Sequence, residues 1–183
     1  MNKTLITFFT VLFCLTSSIG YSQNIICEKT GYGCPEIYFK ELVLRDGDYY
    51  KKFSNEPFTG KITGQQKGSL KNGNREGVWL GYYDNGQLKS KGNWKNGNRE
   101  GVWLGYYDNG QLGFEGNYNK YDGKREGSWV EYYKNGKLNS KGNYENGKKE
   151  GLWLGYLNGT VWTESTGTFK KVIENSNGKK ITN

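Results

Sequence analysis

The stretch REGVWLGYYDNGQL, residues 75–88, recurs letter for letter at residues 99–112, and a looser copy, REGSWVEYYKNGKL, occupies residues 125–138. Taking the glycine before each tryptophan pair as a marker gives Gly77, Gly101, Gly127 and Gly151, spaced by 24, 26 and 24 residues. A fixed period of this size means stacked supersecondary units, each too small to bury its own apolar face. The two extra residues of the middle unit fall in NKYDGKRE, residues 119–126, where a connecting loop absorbs an insertion most easily.

The unit that opens at Arg75 carries Asn-Gly twice, at Asn85-Gly86 and Asn96-Gly97. Asn-Gly between β-forming runs signals a hairpin, because both central residues of a type I′ turn need positive φ. A two-residue turn at Asn85-Gly86 predicts Gly77 opposite Trp94, Trp79 opposite Gly92, Gly81 opposite Ser90 and Tyr83 opposite Leu88. A four-residue connection over residues 96–99 then predicts Lys95 facing Glu100, Trp94 facing Gly101 and Gly92 facing Trp103. Gly92 would have a tryptophan on each side, and a ring lying over a residue without Cβ covers backbone otherwise exposed. The opposite face carries Val78, Leu80, Tyr82, Lys89, Lys91 and Asn93 and reads as wet. The expected fold is all-β: an elongated antiparallel meander of tandem β-hairpin repeats in a single-layer open sheet.

Composition agrees with that reading. Among 183 residues there are 28 Gly, 15 Tyr and 6 Trp, and aromatics make up 16%, far too many for a disordered chain. The N-terminus, with Lys3, an apolar run from Leu5 to Leu15 and small residues Gly20 and Ser22, has the pattern of a Sec signal peptide cut before Gln23. The apolar run is shorter than the ~20 residues of a spanning helix. Cys14 follows Phe13, a poor match to a lipoprotein signal. Removal of residues 1–22 leaves 25 basic residues, one fewer than the full chain's 26, against 18 acidic ones, a net charge of +7. The expected organisation is a signal peptide over 1–22, an N-terminal hairpin or cap over 23–57, the period-24 array over 58–170 and a C-terminal tail over 171–183. In an oxidising exported compartment the two remaining cysteines, Cys27 and Cys34, are expected to form a disulfide. The expected location is periplasmic, cell-surface or secreted.

The pattern G-N-W-K-N-G-x-x-E-G-x-W-x-x-Y-Y-x-N-G-Q-L, as at residues 92–112, resembles the MORN repeat (membrane occupation and recognition nexus). More closely it is similar to the bacterial variant found in exported proteins and in antitoxins of the YwqK family. The segment NEPFTGK, residues 55–61, looks like the lead-in to such arrays. The resemblance spans roughly residues 57–169. It implies repeated hairpins and roles in scaffolding, protein binding or membrane apposition, with no catalytic residues to carry over. An antitoxin ordinarily meets its toxin in the cytoplasm, so an exported chain fits that role only as protection against a toxin arriving from outside.

The chain contains no histidine, which removes Ser-His-Asp and Cys-His nucleophilic arrangements. The carboxylates Glu76, Glu100, Glu126 and Glu150 are copied once per unit, the mark of a structural column rather than of a catalytic pair. Asp46-Gly47-Asp48 reads as a hairpin turn rather than a calcium loop. The chain is therefore expected to be a non-enzyme without cofactor or metal. The expected function is an exported repeat scaffold binding a protein or peptide partner, with an antitoxin or immunity role as one form. Envelope glycan binding by aromatic stacking and association with an acidic membrane surface are the alternatives. Nucleic acid is not expected, since basic residues are interleaved with Glu and Asn. The candidate binding face comprises Trp79, Trp94, Trp103, Tyr118, Trp129 and Tyr144, rings that a single-layer sheet is expected to leave partly uncovered.

Overall fold

A computed structural model describes residues 34–157, 160–165, 168–174 and 180–182. The expected signal peptide and Cys27 lie outside the described residues; Cys34 is disulfide-bonded. The described residues form, in chain order, the strands β1 (Glu36–Tyr38), β2 (Leu42–Arg45), β3 (Asp48–Lys51), β4 (Gly60–Thr63), β5 (Gln66–Lys71), β6 (Asn74–Tyr82), β7 (Leu88–Lys95), β8 (Asn98–Tyr106), β9 (Leu112–Tyr118), β10 (Arg125–Tyr132), β11 (Leu138–Glu145), β12 (Lys148–Leu157), β13 (Thr160–Ser165), β14 (Thr168–Glu174) and β15 (Lys180–Thr182). Among the described residues the one helical element is a 3-10 turn at Phe39–Glu41. Strands β4 to β15 form one open antiparallel meander in sequence order, and at about 4.8 Å per strand each two-strand unit adds roughly 10 Å. Strand β14 carries this sheet past residue 170, and β1 adds to its other edge in parallel with β4, a pairing the sequence did not predict. The β2–β3 hairpin stands apart from the sheet and closes over its first unit.

The two Asn-Gly pairs of the unit that opens at Arg75 make different turns. At Asn96-Gly97 both residues have positive φ, 47° and 77°, as type I′ requires, and Lys95 pairs with Asn98. At Asn85-Gly86 only the glycine does. There Gly86 N–H donates to the Tyr83 carbonyl, Tyr83 N–H donates to the Gln87 carbonyl, and Asn85 Oδ1 accepts from Gln87 N–H, a type I turn closed by a glycine bulge. This corrects two expected registers: Leu88 pairs with Tyr82 instead of Tyr83, and Lys95 and Trp94 face Asn98 and Arg99 instead of Glu100 and Gly101. The pairs Gly77–Trp94, Trp79–Gly92 and Gly81–Ser90 stand as expected.

The tight turn at residues 96–97 is accommodated by a bulge two residues beyond Arg99. The marker glycines Gly77, Gly101, Gly127 and Gly151 sit there with φ between 64° and 72°. A Cβ on any of them would meet nothing, so left-handed backbone and not crowding requires glycine at these positions. Crowding governs the other column. A Cβ at Gly68, Gly92, Gly116 or Gly142 would penetrate the indole of Trp79, Trp103, Trp129 or Trp153 respectively. Each ring thus covers the glycine of the strand before its own; Gly92 has a tryptophan on each side as expected, paired with Trp79 and covered by Trp103. Each indole N–H also donates to the carbonyl just after the covered glycine: Ser69, Asn93, Asn117 and Asn143, at 3.2, 3.1, 3.1 and 2.9 Å. These tryptophans are 1–5% exposed. Burying a ring of this size removes on the order of 200 Å² from water, about 5 kcal/mol at ~25 cal/mol/Å², an upper estimate.

Hydroxyl and amide bonds tie one unit to the next. Tyr83, Tyr107 and Tyr133 donate to the carbonyls of Tyr106, Tyr132 and Tyr156 at 2.7–2.8 Å. Asn85 and Asn109 donate to those of Asp108 and Lys134. Such neighbour terms are what a stacked array relies on for cooperativity.

Candidate functional site

The six aromatic residues expected to form a partly uncovered binding face are gathered into one column on one side of the sheet, and four of them are more fully covered than expected. Trp79, Trp103, Tyr118 and Trp129 are buried, and Trp94 and Tyr144 are half-buried. They cover one another edge to face along the array: Trp94 on Trp103 at 5.6 Å, Trp103 on Tyr118 at 6.0 Å, Tyr118 on Trp129 at 5.3 Å, Trp129 on Tyr144 at 5.6 Å. A single layer suffices because the glycines let each ring lie down and the next ring closes its exposed edge.

Arginine supplies what the sequence reading missed. Arg75, Arg99 and Arg125 open the three copies of the repeat, two residues before each marker glycine, and the bulge brings them onto the ring face. Arg75 lies 4.7 Å from the rings of both Trp79 and Trp94. Arg99 sits 4.7 Å from Trp103 and Arg125 4.3 Å from Trp129. Arg99 donates to the Tyr118 hydroxyl at 2.7 Å and Arg125 to that of Tyr144 at 2.9 Å. In the first unit Trp94 occupies this tyrosine column and has no hydroxyl to offer, so Arg75 turns to Tyr49 of the β2–β3 hairpin, at 3.5 Å. Among the described residues no carboxylate lies in ion-pair range of these three guanidiniums. Burial, reinforced by the charge of Arg99 and opposed by Tyr49, lowers the pKa of Arg75. The copied R-E-G triplet next to an aromatic column was the available signal.

The glutamate column is structural in its contacts. Glu76 and Glu126 accept the backbone N–H of Asn96 and Asn146 in the following type I′ turns, each at 3.0 Å. Glu76 also pairs with Lys95 at 2.6 Å, whereas Glu100 accepts from the Asn93 amide; the shifted turn gives Lys95 this partner in place of Glu100. Asp46-Gly47 is the expected hairpin turn, of type I′ with φ of 52° and 92°, and Asp48 accepts from the Asn74 amide. Among the described residues no cluster of acidic or sulfur side chains could hold a metal.

Two connected hollows follow the arginine and aromatic column. One, of roughly 320 Å³, is walled by Arg75, Trp94, Arg99 and Trp103 with Gly81 and Ser90 as its floor. The other, of roughly 540 Å³, continues past Phe114 and Tyr118 to Arg125 and Glu131. Over the first unit the same face is closed by the chain itself: Phe39 stands edge-on to Trp79 at 5.9 Å and tilted against Tyr49 at 5.0 Å, with Arg75 5.1 Å from its ring.

A family model, the MORN repeat variant, matches residues 75–96, 99–120 and 125–146. Each match starts at an arginine of the column and ends within or just before the next turn. No curated protein matches the chain.

Proposed function

Because this chain is a MORN-repeat protein, we propose that it is an exported, non-catalytic scaffold that docks a protein or peptide segment along the arginine and aromatic groove of its repeats. The observation that carries this reading is the run of three guanidiniums, each packed against rings and none in ion-pair range of a carboxylate. Cations so placed keep their charge directed at the groove and select an acidic partner. Extended concave repeat surfaces bind in this way, one unit contributing after another. An immunity role, with a toxin domain arriving from outside the cell as partner, is one form of the same docking.

The test is capture by crosslinking of the immobilised protein with proteins of its own compartment, repeated with Arg99→Gln plus Arg125→Gln after circular dichroism confirms the fold. The reading predicts that captured partners are lost from the double variant and that polyglutamate competes. Equal capture by both forms would sink the groove as the docking surface.

A further inference from the structure

One cross-strand pair recurs in each unit beside the aromatic column, and only its first copy is small on both sides. The copies are Gly81–Ser90, Gly105–Phe114, Glu131–Ser140 and Gly155–Trp162. Three of the four carry one large side chain. Phe114 lies over Gly105 and stacks on Trp129 at 5.6 Å and 17°. Glu131 reaches across to accept from the Ser140 hydroxyl at 2.9 Å. The fourth pair carries Trp162. In the first pair both residues are small: a Cβ added to Gly81 would find the Ser90 hydroxyl at 2.9 Å, and nothing larger. This is the floor of the 320 Å³ hollow beside Trp103.

The walls of that hollow are chemically unfinished. Arg75 Nε and Trp94 Nε1 are both buried donors without a hydrogen-bond acceptor, and both residues line it. A buried donor left unpaired keeps its desolvation penalty, so an acceptor that reaches it is favoured. Arg75 and Arg99 place two positive charges on the same wall with no carboxylate beside them. The two deficiencies have different complements: the floor lacks a ring, which Phe114 supplies one unit later, and the walls lack an anionic acceptor.

We propose that the Gly81–Ser90 hollow is a binding station for an aromatic side chain with an adjacent carboxylate, presented by an acidic segment of the partner protein. The ring takes over Gly81 and Ser90 the place that Phe114 takes over Gly105, against Trp103. The carboxylate meets Arg75, Arg99 and the Trp94 indole N–H. This inference rests on the docking reading above and specifies its partner.

The experiment titrates the full chain with the peptide Glu-Glu-Phe-Glu-Glu, followed by indole fluorescence and calorimetry, with Ala for Phe and Lys for every Glu as control peptides. Saturable binding one-to-one is expected, weakened at least tenfold by either control. Ser90→Phe, which copies the Phe114 arrangement, should fill the station and weaken the peptide at least tenfold. Should that variant fold poorly, Gly81→Glu copies the Glu131–Ser140 pair and makes the same test. No binding by the parent, equal binding of the lysine peptide, or unchanged binding by a folded filled variant would each overturn the station. A partner captured equally by parent and Ser90→Phe would overturn the station while leaving the scaffold reading standing; no partner captured by the parent would count against the scaffold itself.

Discussion

Gly92 stands between two tryptophans, pairing with Trp79 on one side, and it is Trp103 on the other side that lies over it. The ring leans across the type I′ side of its strand, where the bulge at Gly101 frees it from the ladder, and the Asn93 carbonyl left by the same bulge takes its indole N–H. Gly92→Val should therefore lower stability by more than Lys91→Val, because residue 91 is exposed and residue 92 has no space for a side chain. Overpacking of this kind costs ~1–3 kcal/mol. Thermal melts of the two variants check it, and equal shifts would refute the arrangement.

The two glycine columns should respond differently to the same substitutions. Gly101 has φ of 66° and open space where a Cβ would go, so Gly101→Ala pays only for left-handed backbone, ~1–2 kcal/mol. Asparagine tolerates that region, so Gly101→Asn should recover part of the loss. At Gly92, where the obstacle is the Trp103 ring, Asn should be worse than Ala. Denaturant midpoints of the four variants give the answer; a common rank order at both sites would show that one cause governs both columns.

The period, the two strands per unit and the laying of tryptophan on glycine were legible in the sequence because they depend on copied letters. The turns were not, because the same dipeptide makes two different turns. At residues 85–86 the flanking Tyr83, anchored by its hydroxyl to the next unit, and the Asn85 side chain hold a type I turn; at residues 96–97 both residues take the positive φ of type I′ and Glu76 accepts the Asn96 N–H. That one difference moved Arg99 opposite Trp94 and so concealed the arginine column. The aromatic residues were located correctly, but their mutual coverage depends on the bulges, which a two-residue alternation cannot anticipate.

Glu76 offers a pH test of the links between units. Burial works to raise its pKa, but the Lys95 ammonium and the Asn96 backbone N–H outweigh it and hold the carboxyl below its usual value of 4.5. A folded pKa below the unfolded one means that the stabilisation is present above the unfolded value and disappears as pH falls through the folded one. The melting-temperature gap between the parent and Glu76→Gln should thus be constant near neutrality and close below pH 4.5. A gap that persists unchanged into strong acid would mean that the carboxylate charge plays no part.

Phe114 provides the converse of the filled-station experiment. Phe114→Ser would turn the pair Gly105–Phe114 into a copy of Gly81–Ser90, taking a half-buried ring off Trp129, so stability should fall, by less than the ~3–5 kcal/mol of a fully buried Phe truncated to Ala. The loss should come with a gain. Trp129, 1% exposed in the parent, should become accessible to acrylamide. Arg99 and Arg125 line the enlarged hollow, so the variant should bind a second Glu-Glu-Phe-Glu-Glu peptide, moving the calorimetric stoichiometry from one toward two. The second site should be the weaker, because Arg99 and Arg125 already spend donors on Tyr118 and Tyr144, whereas Arg75 Nε and the Trp94 indole N–H have no acceptor. A variant that exposes Trp129 to the quencher and still binds one peptide would show that the open pair is insufficient, and that the orphan donors of the first unit define the station.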